Sequence, residues 1–171
     1  MDVLDRAEVG ARLPMRLIGH LLGHPAEDDA MLQQWVDRFV IAGCGPKHVT
    51  DDVDAAFADF AGYHEQLAAE RRIRPGNDLL TVWLNAKLDG EPYPEDLLLF
   101  EHTLILVGGS ETTRNAISGG LDALLRLPEQ RDWLAAHPEG IPNAAEEMTR
   151  WVTPFINMSR TATRDTEIRG T

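Results

Sequence analysis

The sequence predicts a mainly α-helical chain organised around one long central helix, with a little β-strand towards its C-terminal end. Three observations point there. From about Pro94 to Arg126 nothing except glycine interrupts a helical pattern, and at about 1.5 Å per residue that stretch runs roughly 45 Å. Before it, apolar residues recur at steps of three and four in three separate runs. After it, Pro128 and Pro142 stand where short helices begin, since a first turn tolerates a missing N–H. The final run FINMSRTATRDTEIRG is rich in β-branched residues and reads as extended.

From Pro14, PMRLIGHLLG aligns Leu17, Ile18, Leu21 and Leu22 on one stripe, closed by Gly23 and Pro25. A second helix begins in AEDDA, whose acids suit a helix N-terminus, carries Met31, Leu32, Trp35, Val36 and Phe39, and breaks at GCGP. The third starts near Thr50 and sets Val53, Phe57, Phe60, His64 and Leu67 on one apolar face. RRIRPGND reads as loop, and DLLTVWLNAKLDG as a short helix or two turns ending at Asp89 and Gly90. Leu97, Leu98, Phe100, Leu104, Ile105, Leu106 and Val107 make the long helix apolar on more than one side, as suits an element covered all round. Pro128 then opens a short helix that His137 and Pro138 end, and Pro142 opens NAAEEMTRW. No repeat or low-complexity linker divides the chain.

With 171 residues, 43% hydrophobic and 26% charged, the chain has the composition of one globular domain. A net charge of -12, spread along the chain, argues against nucleic-acid binding, which wants a basic face. No apolar run reaches the roughly eighteen residues of a membrane span, and MDVLDRAEVG lacks the features of a signal peptide. A cytoplasmic protein without membrane contact is expected. The single cysteine, Cys44, excludes an internal disulfide and argues against a cysteine-based zinc site. His20 and His24 have HxxxH spacing, but Gly23 and Pro25 end the helix, so the imidazoles need not share a face and no metal site is expected.

The most informative stretch is VGGSETT, Val107 to Thr113, in the middle of the long helix. Two glycines there cost about 1 kcal/mol each relative to alanine, and Ser110, Thr112 and Thr113 are only modest helix formers. Glycine lets another body lie against the backbone. Thr112 follows Gly108 by four residues, so its hydroxyl can bond the Gly108 carbonyl and open the turn, leaving a groove flanked by a hydroxyl and the Glu111 carboxylate. Taken alone, the glycine pair is better explained by close helix packing, since small residues also let two helices approach. Glu147 and Arg150 form ExxR on one helical face, which alone is an ordinary surface ion pair.

In order and separation, EPYPEDLLLFEHTLILVGGSETTRNAISGGLDALLRLPEQ followed by AAEEMTRWVTPFINMSRTATRD resembles bacterial cytochromes P450, the haem-thiolate monooxygenases, over essentially the whole chain. The resemblance implies the central helical portion of the P450 fold. Gly108, Gly109, Ser110, Glu111 and Thr112 match the family's oxygen-binding helix, Glu147 and Arg150 its ExxR helix, and Arg160 the arginine of the strand that follows. By that likeness Gly108 and Gly109 lie against haem, Thr112 holds dioxygen through its hydroxyl, and Glu111 helps relay protons. Arg160 binds a haem propionate, and Glu147 with Arg150 forms a buried structural pair. Leu104, Val107, Phe155 and Ile156 face substrate, with core packing as the alternative for each.

The family's thiolate cysteine stands in a glycine- and phenylalanine-rich loop well beyond ExxR, outside residues 1–171, and Cys44 lies in a different segment. Residues 1–171 thus correspond to a middle section of one P450 domain, without its N-terminal part and haem-cysteine region. The complete enzyme would insert one oxygen atom of O2 into a hydrophobic or carrier-bound substrate, using haem and electrons from a ferredoxin-type partner. The piece alone would be inactive. The rival expectation is a non-catalytic helical remnant or interaction module.

Overall fold

The computed structural model describes residues 3–157 and 162–170. The chain runs α1 (Val3–Leu22), a 3-10 turn (Ala26–Asp28), α2 (Asp29–Gly43), a 3-10 turn (Pro46–His48), α3 (Asp51–Ile73) and α4 (Leu79–Leu84). A hairpin of β1 (Lys87–Leu88) and β2 (Glu91–Pro92) leads into α5 (Glu95–Arg126), then α6 (Pro128–Ala136), a 3-10 turn (Pro138–Gly140) and α7 (Ile141–Val152).

The 32-residue α5 is the spine, and α1, α2, α3, α4, α6 and α7 all pack on it. The helix α1 lies antiparallel along α5 and comes close at glycines: a Cβ on Gly10 would strike the Ser118 hydroxyl, and one on Gly109 would strike Ile18. Gly119 and Gly120 similarly admit Val152 and Met148 of α7. Removal of side-chain bulk, which lowers helix propensity locally, is here what allows two neighbours to sit against one helix.

The main core gathers Met15 and Leu22 of α1, Leu32, Trp35 and Val36 of α2, Ala56 and Phe60 of α3, and Leu106 of α5. Phe60 is the aromatic centre, with Trp35 and Phe39 each at 5.8 Å, edge to face. A smaller cluster of Leu67, Ala68 and Leu80 joins α3 to α4. The third stripe is buried as expected at Val53, Phe60, His64 and Leu67, but Phe57 is 43% exposed.

Two expectations need correction. Helix α1 begins at Val3, with Pro14 inside it rather than at its start. Proline removes one N–H donor, but Pro14 is fully buried, so packing against the core offsets the lost bond. The end of DLLTVWLNAKLDG is a hairpin, because Asp89 and Gly90 both adopt positive φ, 52° and 90°. That is the conformation of a type I′ turn, for which Asp-Gly is a strong signal. Among the described residues no strand follows α7, and the only two strands are those of the hairpin. The run read as extended spans residues 155–170, of which 158–161 lie outside the described residues. No helix among the described residues is long and apolar enough to cross a membrane.

Large apolar side chains remain exposed on several elements. On α1 they are Leu13, Leu17 and Leu21, on α5 Phe100 and Leu104, and beyond α7 Phe155 and Ile156. Monomers rarely leave so much apolar surface in water. The 171-residue chain alone is therefore expected to bind a hydrophobic dye and to elute as an oligomer or aggregate in size exclusion. A dye-silent monomer with a sharp melt would contradict this.

Candidate functional site

Position along α5 decides which way each candidate side chain points. Leu98, His102, Leu106 and Ser110, four residues apart, form the buried stripe. Phe100, Leu104 and Gly108 follow the same spacing on another side and are exposed, with Thr112 next in that series.

The two central glycines have opposite surroundings. A Cβ on Gly108 would meet nothing within 4 Å, whereas one on Gly109 would run into the Cδ1 and Cγ1 of Ile18. Gly108 thus opens a face of α5, and Gly109 serves packing, so each explanation of the pair holds for one residue. We expect Gly108→Ala to raise stability by about 0.5–1 kcal/mol, the ordinary helix-interior gain. Gly109→Ala should forfeit that gain and more, by about 1 kcal/mol or more, because Ile18 must move out of a filled core. Denaturant midpoints of the two variants would check the difference in sign.

As expected from the spacing, the Thr112 hydroxyl donates to the Gly108 carbonyl at 2.7 Å. Ser110 does the same to Leu106 at 2.6 Å. The turn does not open, since α5 is helical without interruption. A carbonyl oxygen has two lone pairs and can accept from the helical ladder and a hydroxyl together. Glu111 is turned towards its own helix: Oε1 accepts from Arg114 Nη2 at 2.6 Å and from Asn115 at 3.3 Å. Its Oε2 is buried without a partner. Arg114 also reaches Asp37 of α2 at 3.3 Å, tying α5 to α2.

Leu104 is half exposed, Val107 partly buried, and Phe155 and Ile156 are 55% and 85% exposed. Leu104 and Gly108 share a face of α5, whereas Phe155 and Ile156 lie beyond the end of α7. Arg160 lies outside the described residues. Glu147 and Arg150 form a bidentate pair, both bonds 2.6 Å. The Arg150 hydrogen bonds hold the Glu147 carboxyl below the usual range. The pair is exposed, 56% and 67%, so the expected burial is not found within this chain. Among the described residues nothing covers the pair, and water screens the charges. Glu147→Gln is accordingly expected to leave the melting temperature of the isolated chain unchanged. Beside the pair, a groove of about 410 Å³ runs between α5, α6 and α7, lined by Leu124, Leu127, Trp133, Leu134, Met148 and Trp151. The close contacts of α7 fall at Gly119 and Gly120, about two turns along α5 from Thr112.

Cys44 is exposed. His20 and His24 do not face each other: His24 lies past the end of α1 and is buried against His102 and Tyr63. The role of His102 was not legible in the sequence, although its place in the buried stripe Leu98, His102, Leu106 marks it as a polar residue inside the core. Among the described residues no group of histidine, cysteine, aspartate or glutamate side chains is arranged to hold a metal.

The series Phe100, Leu104 and Gly108 thus presents exposed apolar side chains beside bare backbone, with the Thr112 hydroxyl one turn further on. No family model matches the chain. It is 38% identical over 169 residues to a steroid C26-monooxygenase of Mycolicibacterium smegmatis, which covers 96% of this chain and 41% of that protein. It is 37% identical to a methyl-branched lipid omega-hydroxylase of Mycobacterium bovis, again over 96% of this chain and 39% of the relative. The ligand-free structure of cytochrome P450 TbtJ1 superposes with a TM-score of 0.80 at 30% identity, over 95% of this chain and 43% of the other. The chain spans about two-fifths of the relatives it matches, and its fold is the helical portion of the bacterial cytochrome P450 fold.

Proposed function

We propose, from the premise that this chain has the central helical portion of a bacterial cytochrome P450, that it forms the distal wall of a monooxygenase that hydroxylates an apolar lipid. The full reaction would convert a C–H bond, O2, two electrons and two protons into C–OH and water. Bound haem would supply the activation of O2, with electrons from a ferredoxin-type partner. Residues 1–171 would be the middle section of one P450 domain.

The observation that supports this reading most is the bare backbone at Gly108, set between the exposed Leu104 and the Thr112 hydroxyl on one face of α5. Gly108 would let the haem plane approach the helix, while Gly109, expected beside it at the haem, instead seats Ile18 of α1. Leu104 and Val107, with Phe155 and Ile156 from beyond α7, would exclude water and hold an aliphatic chain. The Thr112 hydroxyl would turn from the Gly108 carbonyl to hold a proton beside the reacting oxygen. Glu111, with Oε2 free and Oε1 on Arg114, would pass protons inward. Arg160 would pair with a haem propionate. The bidentate Glu147–Arg150 pair would fix α7 beneath the rest of the domain.

The names of the relatives point to the terminal carbon of a steroid side chain or methyl-branched lipid as the site of oxidation. The test is to titrate the full-length, haem-loaded protein with a cholestane steroid, a methyl-branched fatty acid and a carrier-bound acyl group, following haem absorbance, and then to identify product after electron supply. Terminal hydroxylation of either lipid is expected. Turnover of the carrier-bound group alone would replace the lipid assignment, and no haem response in any full-length preparation would favour a non-catalytic helical module.

A further inference from the structure

Three buried imidazoles stand in a row through the core, on the side of α5 away from the Gly108 face. His24 follows α1, His64 belongs to α3 and His102 to α5, with 6%, 3% and 0% of their surfaces exposed. His24 Nε2 lies 2.5 Å from His102 Nε2, and His102 Nδ1 lies 2.7 Å from His64 Nδ1. His102 engages its neighbours through opposite nitrogens. The rings therefore share no common point at which three nitrogens could meet an ion, in contrast to a three-histidine metal site.

Counting protons defines what the row can do. Each N···N contact needs one hydrogen, and three neutral imidazoles bring three. Two lie in the contacts, and the third must sit at one end, on His24 Nδ1 or His64 Nε2. Those two nitrogens are the ones buried without a partner. One added proton can be placed without breaking a contact, because a central imidazolium donates both ways. A second would set two donors face to face, with positive rings about 5 Å apart by their 4.8 and 5.0 Å spacings.

The surroundings offer little to balance such charge. Around His24 stand Asp28, Asp78 and Arg71, but Asp28 accepts from the Tyr63 hydroxyl at 2.8 Å and Asp78 from Arg71 at 2.7 Å. Around His64 stand Glu95, Glu65 and Arg72, and Arg72 pairs with Glu95. His102 faces only the other two histidines and the Phe60 ring, 5.1 Å away.

We propose that His24, His102 and His64 form a proton-operated latch, which holds the end of α1 and the middle of α3 against α5 while neutral and releases them when it takes up protons. Burial lowers His24 to about 4 against the raising pull of Asp28, and burial lowers His64 and His102 as well, the other two imidazoles of the row adding to the effect at His102. In the unfolded chain all three would titrate near the ordinary 6.5. Below that value the open state binds more protons than the closed one, so the latch is fully effective above about pH 6.5 and fails as pH falls towards about 4. With up to three protons taken up on opening, the closed-to-open ratio falls up to about a thousandfold per pH unit within that window.

The test compares the full-length protein with His102→Phe and His64→Gln between pH 8 and pH 5. The wild-type melting temperature should fall steeply below pH 6.5, and the fall should be shallower in either variant that folds, the carboxylates common to all three being subtracted. Ring-nitrogen NMR of histidine-labelled wild type needs no variant: three imidazoles should stay neutral below the ordinary value near 6.5, with hydrogen-bonded N–H signals. Ordinary titration of these rings near 6.5, or parallel melting profiles for wild type and variants, would overturn the latch. Stabilisation by added Zn²⁺ that is lost in His102→Phe would overturn it in favour of a metal site.

Discussion

Replacing Arg71 with methionine is expected to destabilise the fold by about 3 kcal/mol, the low end of the range for breaking a buried ion pair. The Arg71 side chain is 17% exposed and Asp78 only 5%, so water can repair little of the loss. One guanidinium joins three helix ends. Its Nε donates to Asp78 Oδ2 at 2.7 Å and its Nη2 to the Gly23 carbonyl at 2.6 Å, while Asp78 Oδ1 caps α4 by accepting from the Thr81 N–H at 2.8 Å. Burial alone would raise the Asp78 carboxyl, but the bonds from Thr81 and Arg71 outweigh it and hold it below its usual value. A carboxyl lowered on folding stabilises above its unfolded value near 4 and loses that contribution as pH falls through the folded one. The deficit of Arg71→Met should therefore be large at pH 7 and shrink in strong acid. Urea midpoints at both pH values would measure it, and equal stability of wild type and variant at pH 7 would refute it.

The second large effect belongs to chemistry. On the monooxygenase reading proposed above, Thr112→Ala in the full-length protein is expected to leave haem binding intact and to divert electrons from product to hydrogen peroxide, lowering coupled turnover by about 10²-fold, the lower range for a positioned proton donor. The hydroxyl bonds only its own helix, to Gly108, so its loss removes no tertiary contact and the fold should persist. The ratio of product to reductant consumed is the readout. Unchanged coupling would remove Thr112 from the reaction.

Helix boundaries were legible wherever the local chemistry was one-sided. Pro94, Pro128 and Thr50 stand at starts as expected, and Gly43 ends α2. Pro14 misled because a buried proline can be accommodated inside a helix by partners that local sequence does not display. The Asp89-Gly90 turn was present in the sequence as a dipeptide signal but was subordinated to the helix before it. At the site, Thr112 to Gly108 followed from spacing alone. The contrast between Gly108 and Gly109 could not, because it depends on where Ile18 of another helix arrives. The histidine row is the extreme case: its members lie 38 and 78 residues apart in pairs, and nothing local to any of them signals the others.

The seating of Ile18 over Gly109 also acts as an alignment key. Sliding α5 by one helical turn would bring Ile105 or Thr113 under Ile18, and neither leaves the hollow that glycine does. The key fixes α5 in rotation too, because the next residue, Gly108, lies about 100° round the helix and is thereby aimed away from α1. A substitution at Ile18, which touches Gly109 and not the exposed series Leu104 and Gly108, should consequently change the direction in which that series faces by turning α5.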